Sequence, residues 1–322
     1  MSNTVAAVVV TFNRKDLLLE CLDALLAQSS CLESIILVDN ASSDGTPAAL
    51  HAGGYLENER IDYIRLSNNT GGAGGFHAGM ERALKRGFDW IWVMDDDAEP
   101  CVDALEHMKP LFSRKDIAGV ASLPYDRNGQ PQGPHRGWID LRGTTLTAHR
   151  AIDTANLAEN MEISFASFVG LAVPRRAVER IGLPKQEMFI KCDDLEYCTR
   201  LKSVGPIVLV PQSRIIHKEG ASQAYKTHTR LGRSSSRVPI DKLWLSYFSL
   251  RNLLWIRRQH CGVVVAALFA GRQFARTALG ILLYDSERSL RLMFYWHAIV
   301  DAWTGVFDNE KPRRLTAIPR KA

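Results

Sequence analysis

The sequence predicts an α/β fold: a mostly parallel sheet flanked by helices, followed by a helical, basic C-terminal region. Three observations carry this. Short β-branched runs alternate with amphipathic segments over the first hundred residues, the pattern of parallel strands joined by crossover helices. Polar clusters stand where those runs end, and the carboxyl ends of strands are where such sheets bind ligands. Charge is split: the last 111 residues carry 19 Lys and Arg against 7 Asp and Glu, while the whole chain of 322 residues is only +5.

Val5–Thr11 reads as a strand covered on both faces. Asp16–Gln28 has apolar residues at helical spacing, and Ser34–Val38 is a second buried strand ending in Asp39-Asn40. Thr46 followed by Pro47 opens a second helix. Ile61–Leu66 is a third strand, Phe76–Arg86 a helix, and Trp90–Met94 a fourth strand closing on Asp95-Asp96-Asp97. The turn-rich stretch 124–137 reads as a surface excursion. A strand at Ser164–Val173 leads into a helix at Arg175–Ile181, and an acidic cluster with helical spacing follows in Met188–Ser203. Ile207–Val210 and Ile215-Ile216 read as two short strands around Pro211, ending at His217. Three regions result: an α/β domain over 1–222, a basic flexible loop or linker over 223–239, and helices over 240–322.

Composition excludes several classes. Apolar residues make up 46%, which rules out disorder and collagen-like repeats. Six cysteines with no C-x-x-C pair argue against a disulfide scaffold or zinc knuckle, so a reducing, cytoplasmic setting is expected. No nucleic-acid-binding motif accompanies the C-terminal charge, and nucleic acid is not an expected partner.

Three clusters carry chemistry. Asp95-Asp96-Asp97 ends an apolar strand; on an extended backbone Asp95 and Asp97 share a face, and converging carboxylates suit Mg²⁺ or Mn²⁺ bound to a diphosphate. Asn69–Gly75 places four glycines before a helix, allowing close backbone approach to an anion. The pattern is neither G-x-G-x-x-G nor a P-loop. In Phe189–Tyr197, Asp193 and Asp194 stand beside apolar residues, where a carboxylate can serve as general base. His217 joins these if the fold brings it near Asp97.

Taken together, VVVTFNR (8–14), ILVDNASSDGT (36–46), NTGGAGGFHAGM (69–80), WVMDDDAEP (92–100), FIKCDDLEY (189–197) and IIHK (215–218) resemble family 2 glycosyltransferases of the GT-A fold. Within that family they are most similar to bacterial galactofuranosyltransferases and the related rhamnosyltransferases. The resemblance covers residues 5–218. It implies a metal-dependent, inverting transfer of galactofuranose from UDP-galactofuranose, or alternatively of rhamnose from its dTDP donor, to a glycan or lipid-linked acceptor. Thr11, Asn13, Arg14, Asp39, Asn69, Gly71, Gly72, Gly74, Gly75 and Asp96 would bind the nucleotide-sugar. Asp95, Asp97 and His217 would hold Mn²⁺ or Mg²⁺. Asp194 would be the general base, with Asp193 orienting the acceptor. Cys192 departs from the family, many of whose members place Trp there, which bears on acceptor choice. A nucleotidyltransferase and a non-catalytic nucleotide-sugar-binding protein are the competing classes.

The helical region mixes Trp, Tyr, Phe and Leu with Arg, and its apolar run Cys261–Gly271 is eleven residues long. A spanning helix needs roughly 20. Helices lying on an anionic membrane surface are therefore expected, at the cytoplasmic face of the cell membrane, the alternative being a helical domain packed on the first domain or on a partner subunit. A homo-oligomer is left open.

Overall fold

The computed structural model describes residues 3–218, 226–230 and 233–316. Two compact units are present: Met1–Ile139 with His149–Gln186 and Asp194–Gly220, and Asp140–Ala148 with Glu187–Asp193 and Ala221–Ala322.

The first unit is built on strands β1 (Val5–Thr11), β2 (Ser34–Asp39), β3 (Ile61–Arg65), β4 (Trp90–Asp95), β5 (Ala98–Pro100), β6 (Gly119–Tyr125), β7 (Arg136–Ile139), β8 (His149–Ala151), β9 (Met161–Ile163), β10 (Phe165–Ala166), β11 (Leu171–Pro174) and β12 (Ile207–His217). Its helices are α1 (Lys15–Leu26), α2 (Thr46–Ala52), α3 (Gly71–Arg86), α4 (Ala104–Met108), α5 (Arg175–Ile181) and α6 (Asp193–Leu201), the last starting at the boundary with the second unit. The main sheet runs β3-β2-β1-β4-β11-β6-β12-β5, with β9 also on β12. β1 pairs parallel with β2 and β4, β2 with β3, and β6 with β12. β11 is antiparallel to both β4 and β6, so the sheet is mixed at its centre yet mostly one-directional. β7, β8 and β10 form a separate small sheet.

Every residue of β1 and β2 is buried. That is why these strands read as continuous apolar runs rather than alternating ones. Trp92 is wholly buried in the core, and Trp90 stacks on Phe112 at 4.1 Å.

Helix α3 starts five residues earlier than expected. The glycines read as a loop are its first turns. A Cβ on Gly75 would stand 2.4 Å from Val10 Cγ1, and one on Gly79 would stand 2.3 Å from Val8 Cγ1. These glycines let the helix lie close on β1. Gly74 is filled by the Thr70 side chain at 2.3 Å. A Cβ on Gly72 would meet nothing within 4 Å.

Residues 207–217 form one strand rather than two. A register shift between Val210 and Arg214 absorbs Pro211 as an irregularity in the pairing with β6.

The second unit contains helices α7 (Leu243–Cys261), α8 (Val263–Tyr284), α9 (Arg288–Thr304) and α10 (Lys311–Thr316). Within the expected linker, β13 (Lys226–Arg230) pairs antiparallel with β14 (Arg233–Arg237) as a hairpin. The remaining linker residues 223–225 and 231–232 lie outside the described residues. Arg257 is buried against Phe269, its guanidinium carbon 3.8 Å from the ring centroid, and donates to Thr145 O. Tyr247 hydroxyl donates to the buried Asp301, which also accepts from Lys311. No helix among the described residues is long and apolar enough to cross a membrane.

Candidate active site

The site forms where β1, β2 and β4 end together. Thr11 Oγ1 donates to Asp96 Oδ2 at 2.7 Å, and both residues are buried. Arg14 Nη1 reaches Asp96 Oδ1 at 3.1 Å and Asp97 Oδ2 at 3.0 Å. Burial opposes the Arg14 charge, but Asp96, Asp97 and Asp95 outweigh it and hold the guanidinium above its ordinary range. Burial pushes the Asp96 carboxyl up to about 6, with Arg14 and Thr11 pulling the other way.

The aspartate triplet is not an extended run. Only Asp95 belongs to β4; Asp96 and Asp97 make the turn into β5. The expected sharing of a strand face by Asp95 and Asp97 therefore fails, because alternation needs extended backbone on both sides. The turn does something else. β5 pairs antiparallel with the end of β12, setting His217 opposite Ala98, and Lys218 N donates to Asp97 O at 2.9 Å. His217 Nε2 thus stands 3.5 Å from Asp97 Oδ1, with both side chains buried. Residues 120 apart in sequence meet through one strand pairing.

Around His217 lie groups that sequence reading missed. Its Nδ1 is 2.9 Å from Gln132 Oε1, and the His135 ring meets it edge-on at 4.7 Å. With Nδ1 engaged by Gln132, Nε2 is the ring nitrogen that faces Asp97. Arg136 is fully buried and donates to the carbonyls of Ser122, His135 and Val169. Burial lowers its guanidinium to about 9. The stretch 124–137 is therefore not merely a surface excursion. Its Gly, Pro and Asp turns masked a segment whose end returns to the core.

Several expected nucleotide-binding side chains are engaged within the fold. Asp39 is wholly buried; its Oδ1 accepts from Ser42 N (2.7 Å) and its Oδ2 from Tyr63 hydroxyl (2.8 Å). Burial and this bond raise the Tyr63 phenol well above its ordinary value. Both Asp39 carboxylate oxygens are thus engaged within the fold, at the position expected to contact the base or ribose. Asn13, at φ 55°, accepts from Ser43 N at 2.7 Å and ties the first loop to the second. Asn69 Oδ1 accepts from Gly71 N at 2.8 Å, and Asn40 clasps the start of α3 through Thr70 N and Gly71 O. The Cβ positions of Gly74 and Gly75, expected to border the diphosphate, face Thr70 and Val10; Gly71, at φ 73°, and Gly72 stand at the helix start.

Asp193 and Asp194 open α6. Asp193 is buried and Asp194 half-buried, with its Oδ1 accepting from Leu195 N at 2.7 Å. The negative charge of Asp194 acts weakly on the buried Arg136 guanidinium, against the larger effect of burial. Glu196 instead makes a bidentate pair with Arg200 at 2.7–3.0 Å, a structural role.

Among the described residues no three His, Cys, Asp or Glu side chains form a ready-made metal group. The trio Asp95, Asp97 and His217 is thus assembled only as far as its Asp97–His217 pair. One carboxylate oxygen and one imidazole nitrogen are a donor set that fits a borderline divalent ion such as Mn²⁺.

The sequence profile of glycosyl transferase family 2 matches residues 6–182. The chain belongs to glycosyl transferase family 2. This family 2 glycosyltransferase is 30% identical to galactofuranosyltransferase GlfT1 of Mycolicibacterium smegmatis over 258 residues, 78% of this chain and 82% of that protein. It is 22% identical to the dTDP-rhamnosyl transferase RfbF of Shigella flexneri over 268 residues, covering 83% and 84%. Its fold matches the crystal structure of GalNAc-T7 with UDP, GalNAc and Mn²⁺ at a TM-score of 0.62 and 15% identity. That alignment covers 96% of this chain and 58% of the other. The fold is the GT-A fold of glycosyltransferases, and the chain is a glycosyltransferase.

Proposed function

We propose that this glycosyltransferase moves galactofuranose, with inversion, from UDP-galactofuranose to a hydroxyl of a cell-surface glycan or lipid-linked acceptor. The similarity to GlfT1 at 30% over most of both chains supports the donor. The second reading, rhamnose transfer, is favoured by the weaker but equally extensive similarity to the dTDP-rhamnosyl transferase.

The observation that carries the chemistry is the Asp97–His217 pair at 3.5 Å on the carboxyl side of the sheet. Asp97 and His217 would hold Mn²⁺ or Mg²⁺, with Asp95 at the adjoining strand end. Such an ion supplies Lewis-acid stabilisation of the leaving diphosphate. Arg14, with its side chain 31% exposed beside Asp96 and Asp97, is the cation of this site able to turn toward phosphate. Thr11 and Asp96 anchor it, while Gly71 and Gly72 offer the helix N-terminus to the same anion. Asp194 takes the proton from the attacking hydroxyl as its oxygen bonds to the anomeric carbon and the bond to diphosphate breaks. Asp193 orients the acceptor.

The acceptor's lipid link agrees with helix α8. Val264, Leu268, Leu279 and Leu282 are exposed on one stripe of it, flanked by exposed Arg272 and Arg276. No carboxylate occurs in its 22 residues. That is the pattern of a helix lying on an anionic membrane surface.

The test is a donor screen with Mn²⁺ and a lipid-linked acceptor, comparing UDP-galactofuranose, dTDP-rhamnose and common UDP-hexoses. Transfer from UDP-galactofuranose that EDTA abolishes is expected. Transfer from dTDP-rhamnose alone would replace this reading with the second one.

A further inference from the structure

The segment leading into Asp193-Asp194 is held in a conformation its own residues disfavour. Phe189, Lys191 and Cys192 have φ of 65°, 68° and 63°, the left-handed region, and none is glycine. Such backbone persists only where the surroundings over-determine it. Here they do. The buried Asn252 on α7 donates from Nδ2 to Met188 O (3.0 Å), Ile190 O (3.0 Å) and Lys191 O (2.8 Å). Arg251 Nε donates to Asn252 Oδ1 at 2.9 Å, which fixes which way the amide faces, and Arg251 Nη2 reaches Met188 O at 3.1 Å. Arg251 is itself buried, over Phe248 and Phe307 at 4.8 Å, with Nη1 donating to Asn309. Phe189 stacks on Phe248 at 5.1 Å. The carbonyls of three residues in a four-residue span are thus gathered on one amide, immediately before the helix whose second residue is Asp194.

We infer that Asn252, oriented by Arg251, is a positioning residue for the general base: it fixes the strained Met188–Cys192 backbone and thereby the start of α6, where Asp194 stands. The inference rests on the assignment of Asp194 as base. Three left-handed non-glycine residues beside an acidic pair mark backbone shaped for a site rather than for packing.

The test compares Asn252→Asp, Asp194→Asn and the double variant in the full chain, with transfer kinetics in Mn²⁺, UDP affinity and thermal melting. Asn252→Asp keeps the size and its bond from Arg251 but turns an oxygen toward the carbonyls. It should lower kcat by about 10²-fold, the scale of a misplaced reacting group, with UDP affinity unchanged within about twofold. On the Asp194→Asn background the same change should cost less than about twofold, because its effect runs through a base already absent. Asn252→Gln, which keeps the amide donor, should lose only about tenfold, and it carries the test if the Asp variant does not fold. Wild-type kcat in both Asn252 variants, beside a disabled Asp194→Asn, overturns this inference alone. So does an Asn252→Asp loss on the Asp194→Asn background as large as on the wild type. Full activity of Asp194→Asn overturns the base reading and this inference with it.

Discussion

Individual side chains divide the site into parts with different expected losses. Asp194→Asn should reduce kcat by at least about 10²-fold with donor binding largely kept, since positioned base catalysis contributes about 10²–10⁴. Single-turnover transfer with UDP-galactofuranose checks this, and near-full activity would remove Asp194 from the role. Asp97→Ala and His217→Ala should instead weaken Mn²⁺-dependent UDP binding, measured by calorimetry with and without EDTA. His135 gives a pH prediction. Burial, then the neighbouring His217 and Arg136, lower its imidazole from 6.5 to about 3. The unfolded chain therefore binds this proton over that range and the folded one does not, so acidification through it destabilises the fold. Asp96 acts oppositely, because its folded carboxyl is raised from 3.8 to about 6 and gains stability as pH falls through that window. The two partly cancel, so the comparison is between variants. His135→Asn should remove a slope of up to about 1.4 kcal/mol per pH unit below pH about 6.5. Denaturant unfolding curves across that range check it; parallel profiles would contradict it.

Elements explain which parts of the sequence were legible. β1, β2 and β4 were plain because strands buried on both faces are written as unbroken apolar runs. Helices α7, α8 and α9 were plain from composition and length. The glycine run was not. Glycine marks close approach, but sequence does not say whether to a ligand or to a strand. Gly75 and Gly79 serve Val10 and Val8, whereas Gly72 faces open space. Gly75→Ala should therefore destabilise the fold by about 1–3 kcal/mol through overpacking. Gly72→Ala should leave stability intact while weakening UDP binding, and unchanged affinity would take Gly72 out of the donor site. Gln132 and His135 were missed because turn residues surround them, and the Asp97–His217 meeting depends on a β5–β12 pairing that three residues of β5 barely signal. For α8, Leu268→Glu with Leu279→Glu should lower sedimentation with vesicles containing anionic lipid while UDP binding stays unchanged. Equal sedimentation would show that this stripe does not meet lipid.

The whole molecule joins a GT-A unit, whose strand ends gather Thr11, Arg14, Asp96, Asp97 and His217, to a helical basic unit carrying Asn252, Arg251 and the exposed stripe of α8. Charge asymmetry in the sequence, with 19 Lys and Arg against 7 Asp and Glu in the last 111 residues, falls mostly on the second of these units. The strained segment before α6 stayed hidden, since no residue type in Phe189–Cys192 announces left-handed backbone. One measurement bears most directly on the central claim, that the Asp97–His217 pair and Asp194 serve a single metal-bound sugar diphosphate. It is a crystal structure with Mn²⁺ and UDP, with the ion located by its anomalous signal. The ion should stand between Asp97 and His217 against the diphosphate, with Asp194 facing the place of the sugar. An ion bound elsewhere, or UDP bound away from the ends of β1 and β4, would contradict it.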